Sequence, residues 1–152
     1  MSSSSPLMDN LSDTQLLDIL RRARTIAVVG LSPKTDRPSY RVAAYLQQVG
    51  YKIIPVRPAS EPILGEPCFP SLDAIPKEWT VDIVDVFRAA DDTPPIAEAA
   101  VRLMAGQAES TALFWLQSGI IHEGSLTIAR QGGLSAIQDR CLMVEHRRLL
   151  AQ

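Results

Sequence analysis

Only two of the 152 residues are cysteine, Cys68 and Cys141, and they form no C-x-x-C pair. With His122 and His146 as the only histidines, this argues against structural zinc and for two reduced, structural thiols. Also missing is any apolar run of about 18 residues, the length that spans a bilayer. Residues 1–10 lack the basic start and apolar centre of a signal peptide, which points to the cytoplasm. An excess of charge of either sign is lacking too. Fifteen Lys and Arg face seventeen Asp and Glu, a formal net charge of -2. That balance speaks against a general nucleic-acid or membrane-surface binder. Two nucleotide fingerprints are absent as well. No G-x-x-x-x-G-K-[ST] string occurs, and Gly30 has no glycine partner at position 32 or 35, so G-x-G-x-x-G is incomplete.

What remains is an ordinary globular composition, 46% apolar and 21% charged, in a length suited to a single core. Residues 1–10 are Ser/Pro-rich and read as a flexible tail, leaving 11–152 as one domain. Leu11, Leu16, Leu17 and Leu20 recur at helical spacing after a capping Ser12 or Asp13, predicting a helix over 12–23. Apolar runs at 25–29, 51–56, 81–87, 111–116 and 134–138 then read as strands. Helices are expected between them at 40–49, from Asp92 or Thr93 onward and at 123–130, with a short one at 71–74 and a last one at 143–151. Prolines 58, 62, 67 and 70 rule out regular pairing through most of 57–70. Strands apolar on both faces and alternating with helices specify a parallel sheet covered on both sides. The predicted fold is a Rossmann-like, doubly wound α/β domain of about five strands.

In such sheets ligands lie at the carboxyl ends of the strands. After strand one the chain reads Gly30-Leu31-Ser32-Pro33-Lys34, then Arg37-Pro38-Ser39. A glycine permits a tight turn and close approach to an anion, and the next helix offers unpaired N–H groups. Lys34, Arg37 and Arg41 outweigh Asp36 in this loop, which suits phosphate. After strand two come Val56, Arg57 and Pro58; after strand three, Phe87 and Arg88; after strand four, Gln117, Ser118 and Gly119. Arg37, Arg57 and Arg88 thus recur at three ends, with Arg37 first in rank because it sits in the loop itself. Guanidinium groups bind phosphate oxygens bidentately, and Phe87 offers a flat wall for a ring. At the end of strand two an NAD site places an acid, whereas Arg57 suits an extra ribose phosphate. NADP and coenzyme A both carry one.

The strings Ala27-Val28-Val29-Gly30-Leu31-Ser32-Pro33-Lys34, Arg37-Pro38-Ser39-Tyr40-Arg41-Val42, Val84-Asp85-Val86-Phe87-Arg88, Trp115-Leu116-Gln117-Ser118-Gly119-Ile120 and Asp139-Arg140-Cys141-Leu142-Met143-Val144-Glu145-His146 together resemble the small bacterial CoA-binding proteins. These are single-domain relatives of the CoA-binding domain of succinyl-CoA synthetase, and the resemblance covers residues 25–149. It implies a Rossmann-type fold with coenzyme A or an acyl-CoA as ligand. In that family asparagine commonly stands where this chain has Arg57. The synthetase's phosphorylated histidine lies in a following domain, so ligase activity is not expected to carry over.

Chemistry of the chain's own would need a nucleophile or an acid–base pair. Cys141 and Glu145 are one helical turn apart, whereas His146 points about 100° away from Glu145. Cys141 just after strand five shows no activating dipole, and His122 has no evident partner. The expected function is therefore a non-catalytic binding, carrier or regulatory protein. The alternatives are an NADP-dependent oxidoreductase and a thiol or acyl-transfer enzyme using Cys141 or His122.

Overall fold

The computed structural model describes residues 11–58 and 61–150; the predicted tail at 1–10 lies outside them. Helix α1 (Asp13–Arg22) opens on a reciprocal cap. Ser12 Oγ accepts from Gln15 N–H at 3.1 Å, and Ser12 N–H donates to Gln15 Oε1 at 2.9 Å. The chain then alternates through β1 (Thr25–Val29), α2 (Pro38–Gln48), β2 (Lys52–Val56), β3 (Ile83–Val86), α3 (Thr93–Met104), β4 (Leu113–Leu116), α4 (Glu123–Gln131), β5 (Ser135–Ile137) and α5 (Leu142–Leu149). Single 3₁₀ turns at Leu72–Ala74 and Ala90–Asp92 precede β3 and α3.

All five strands are parallel, in the order β2-β1-β3-β4-β5. This is the doubly wound Rossmann-like α/β architecture expected from the sequence, with the N-terminal helix added. Side chains alternate between two cores. Ala27, Val29, Val84, Val86, Phe114 and Leu116 pack with α3 and α4. Ile26, Val28, Ile83, Leu113 and Trp115 pack with α1, α2 and α5. Because β1 connects outward to β2 and the chain then returns to β3 on its other side, the crossovers diverge between β1 and β3. Their carboxyl ends form the topological switch point.

The opposite end of the sheet is clasped by Asp82. Its carboxylate accepts from the N–H groups of Arg24 at 2.7 Å, Thr25 at 3.1 Å and Thr111 at 3.2 Å, fastening the starts of β1 and β4 to β3. The observed elements are mostly shorter than the apolar runs. The 81–87 run pairs fully only over Ile83–Val86, although ladder bonds continue from Asp82 N–H to Thr25 O and from Phe87 N–H to Val29 O. Two helices begin earlier than read. Pro38 occupies the first position of α2, where its fixed φ fits and its missing N–H costs nothing. Helix α5 starts at Leu142, which makes Cys141 its N-cap. Among the described residues no helix is long and apolar enough to cross a membrane.

Candidate functional site

Gly30 is the pivot of the switch point. Its φ is +86°, and a Cβ there would meet the Phe87 carbonyl oxygen at 2.3 Å. Both the left-handed conformation and the space demand glycine. Its N–H donates to Val56 O at 2.8 Å, and Phe87 N–H donates to Val29 O at 2.8 Å, so the ends of β1, β2 and β3 close on one spot. The loop beyond is braced from within. Ser32 N–H donates to Ser39 Oγ at 3.0 Å, and Lys34 N–H donates to Ser32 Oγ at 3.1 Å. Arg41 Nη1 donates to Asp36 O at 2.6 Å. Helix α2 therefore begins at a fixed angle, and the first-turn amides of Ser39 and Tyr40 have no carbonyl before them within the helix. That is the positive end of a helix beside an open loop.

Two cavities flank the Phe87–Arg88 pair. The first, about 610 Å³, opens over Gly30 and Ser32 and reaches Arg57, Ile96 and Arg102. Arg102 grips Asp73 through two hydrogen bonds, Nε to Oδ1 at 3.1 Å and Nη2 to Oδ2 at 2.9 Å. That grip holds the Asp73 carboxyl below its usual range and raises the guanidinium in turn. The second cavity, about 560 Å³, lies between the start of α2, the end of β4 and the start of α5, with Arg41, Gln117 and Cys141 on its wall.

The residues singled out from the sequence divide accordingly. Gly30, Ser32, Val56, Arg57 and Pro58 line the first cavity, Pro38 and Gln117 the second, and Phe87 and Arg88 both. Leu31 is fully buried in the core beside α2, and Ser39 is buried with its hydroxyl holding the loop. Pro33, Lys34 and Arg37 are exposed on the loop or nearly so, and line neither cavity. Arg37 is instead the N-cap residue of α2, 3.9 Å from Asp36 through Nε. Gly119, at φ +84°, donates its N–H to Asp139 Oδ1 at 2.8 Å and ties the β4 loop to the β5 loop.

His122 has a structural task. Its Nδ1 accepts from Ser125 N–H at 3.0 Å, capping α4, while its own N–H donates to Gln138 Oε1 at 2.8 Å. Cys141 departs from expectation in the other direction, because it sits on the N-terminus of α5 and faces a cavity. The sequence reading missed Asp73, Ile96 and Arg102 in the first cavity. Nothing in the residue pattern signalled that α3 leans its first turns over the strand ends.

The class defined by this fold is a doubly wound, parallel-sheet domain with a crevice at the strand ends. The chain belongs to the CoA-binding domain family, whose model covers residues 24–147. It is 37% identical over 139 residues to an uncharacterised Bacillus subtilis protein, YneT, covering 91% of this chain and 97% of that one. A stretch of 65 residues is 35% identical to the ADP-forming acetate–CoA ligase II of Archaeoglobus fulgidus, covering 41% of this chain and 10% of the ligase. A solved structure from Thermus thermophilus superposes with a TM-score of 0.82 at 36% identity, covering 92% of this chain and all of that one.

Proposed function

We propose that this protein binds coenzyme A or an acyl-CoA, with the pyrophosphate over the loop at residues 30–39 and the adenosine end in the first cavity. The observation that carries this reading is Gly30. A left-handed glycine packed on the Phe87 carbonyl leaves room at the switch point for an anion beside the α2 N-terminus. Arg57 and Arg88 border the same cavity and supply the charge, and Val56 and Ile96 supply an apolar wall for the base. Membership of the CoA-binding family supports the same ligand. Arg57, where the family resemblance implies asparagine, is assigned to the 3′-phosphate. The proposed role is that of a binding, carrier or regulatory protein.

Thermal melts with coenzyme A, dephospho-CoA, NADP and NAD test the reading. At 100 times its Kd, coenzyme A should add about 2.7 kcal/mol to stability. Dephospho-CoA should bind about 10- to 150-fold more weakly, the worth of a charge-assisted hydrogen bond of roughly 1.5–3 kcal/mol. Arg57→Ala should abolish that difference, and Gly30→Val should remove binding altogether. A melt raised by NADP and not by coenzyme A would replace this reading with the oxidoreductase one.

A further inference from the structure

The second cavity holds a group that the nucleotide's phosphates leave unused. Gln117 is only 4% exposed, and its Oε1 is committed to Leu142 N–H at 3.0 Å. That bond fixes the amide plane, and among the described residues the Nε2 group has no hydrogen-bond partner, although Gln117 lines the cavity. The residue is almost wholly buried, yet its Nε2 donor opens on the cavity and is offered to whatever acceptor occupies it, and the residue next to its anchor is Cys141. The Cys141 thiol is half-buried and borders the cavity at the N-cap of the eight-residue α5. Its side chain caps no backbone amide of the helix. One cavity-facing donor on a nearly buried side chain, one thiol and one helix N-terminus thus converge on a cavity whose remaining wall includes Phe87, Ile120 and Met143.

We propose that this cavity is a thioester site, in which Cys141 accepts the acyl group of an acyl-CoA while Gln117 Nε2 donates to the carbonyl oxygen. The proposal rests on the coenzyme A reading above. With the adenosine end in the first cavity, the long arm of the ligand crosses the Phe87–Arg88 pair, the wall common to both cavities. The Cys141 Sγ thiolate attacks the thioester carbonyl carbon, and a new carbon–sulfur bond forms. The oxyanion of the tetrahedral intermediate is held by Gln117 Nε2. The bond to the coenzyme A sulfur then breaks, and that thiolate takes up a proton equivalent to the one Cys141 released. The products are S-acyl Cys141 and free coenzyme A, with no oxidant or reductant consumed.

Acetyl-CoA is the probe. The full chain is incubated with it, quenched in acid and examined by intact mass and peptide mapping, with released coenzyme A thiol followed in parallel. An acetyl adduct on Cys141, or thiol release lost in Cys141→Ser, is expected. Cys68→Ser should retain it, since the Cys68 thiol lies against the Arg57 and Phe69 carbonyls outside both cavities. Gln117→Glu keeps an oxygen for Leu142 N–H and removes the donor. It should slow transfer about 100-fold, as loss of one oxyanion donor does. No adduct and no Cys141-dependent release, in a protein whose melt is raised by coenzyme A, would overturn this proposal and leave the binding reading standing. An adduct shared equally with Cys68 would overturn it too. A melt indifferent to coenzyme A would instead defeat the binding reading on which it rests.

Discussion

Asp85 shows how a single side chain can work against its surroundings. It sits mid-β3, paired in register between Val28 and Trp115, fully buried, and among the described residues neither carboxylate oxygen has a hydrogen-bond partner. Burial alone pushes its pKa well above the ordinary carboxylate range, which favours the protonated form. The sign of the linkage follows from this. The unfolded chain releases the proton near pH 3.9 while the folded chain keeps it. Stability is therefore full below that pH and falls as pH rises toward the folded value, by at most about 1.4 kcal/mol per pH unit. Asp85→Asn preserves shape and removes the titration. Subtracting its stability-against-pH curve from that of the wild type should give a negative slope beginning near pH 4. A flat difference would mean that Asp85 finds a partner. The apolar run was legible as a strand despite this residue, but its missing partner was not, because partners are a property of packing.

At the scale of elements, α5 illustrates both what pattern reveals and what it hides. Its helicity was readable from residues 143–151, yet its start was misplaced by one residue, enough to hide the position of Cys141 at its N-terminus. Its docking depends on His146, which is buried and carries a 2.7 Å hydrogen bond between Nδ1 and Tyr45 Oη, with Tyr45 and Tyr51 meeting the ring edge-on. Burial lowers the His146 pKa. A depressed value means that the stability contributed is complete above the unfolded pKa of about 6.5 and is lost as pH falls through the folded one. Below pH 6.5 α5 should loosen, and exchange of the Leu150 amide, which donates to His146 O at 2.8 Å, should accelerate beyond its intrinsic pH trend. His146→Gln removes the titration and should abolish that acceleration. Equal acceleration in the variant would assign it elsewhere.

For the whole molecule, the alternation of strands and helices made a parallel, two-sided sheet legible, and reading the strand ends gathered most of the first cavity's β-side. Gly30, Val56, Arg57, Phe87 and Arg88 do converge there. Strand order was not legible, and with it went the helix side of the cavity, since Ile96 and Arg102 reach the strand ends only through the crossover to α3. The same topology separates stability from ligand chemistry along the strand axis. Asp82 clasps β1, β3 and β4 at their amino ends, and the two cavities lie at their carboxyl ends. Asp82→Ala strands three backbone N–H groups at once. At roughly 1–3 kcal/mol for each unsatisfied donor, less what water can restore at this partly open edge, the loss should be about 3 kcal/mol. For a chain of this size that lowers the melting temperature by roughly 6–12 °C. Because the clasp is at the far end of the sheet, the variant should bind coenzyme A at 10 °C with wild-type affinity. Calorimetric titration alongside a circular-dichroism melt separates the two effects. A variant that melts normally would remove Asp82 from the list of structural clasps, and one that folds but binds weakly would show that the two ends of the sheet are coupled.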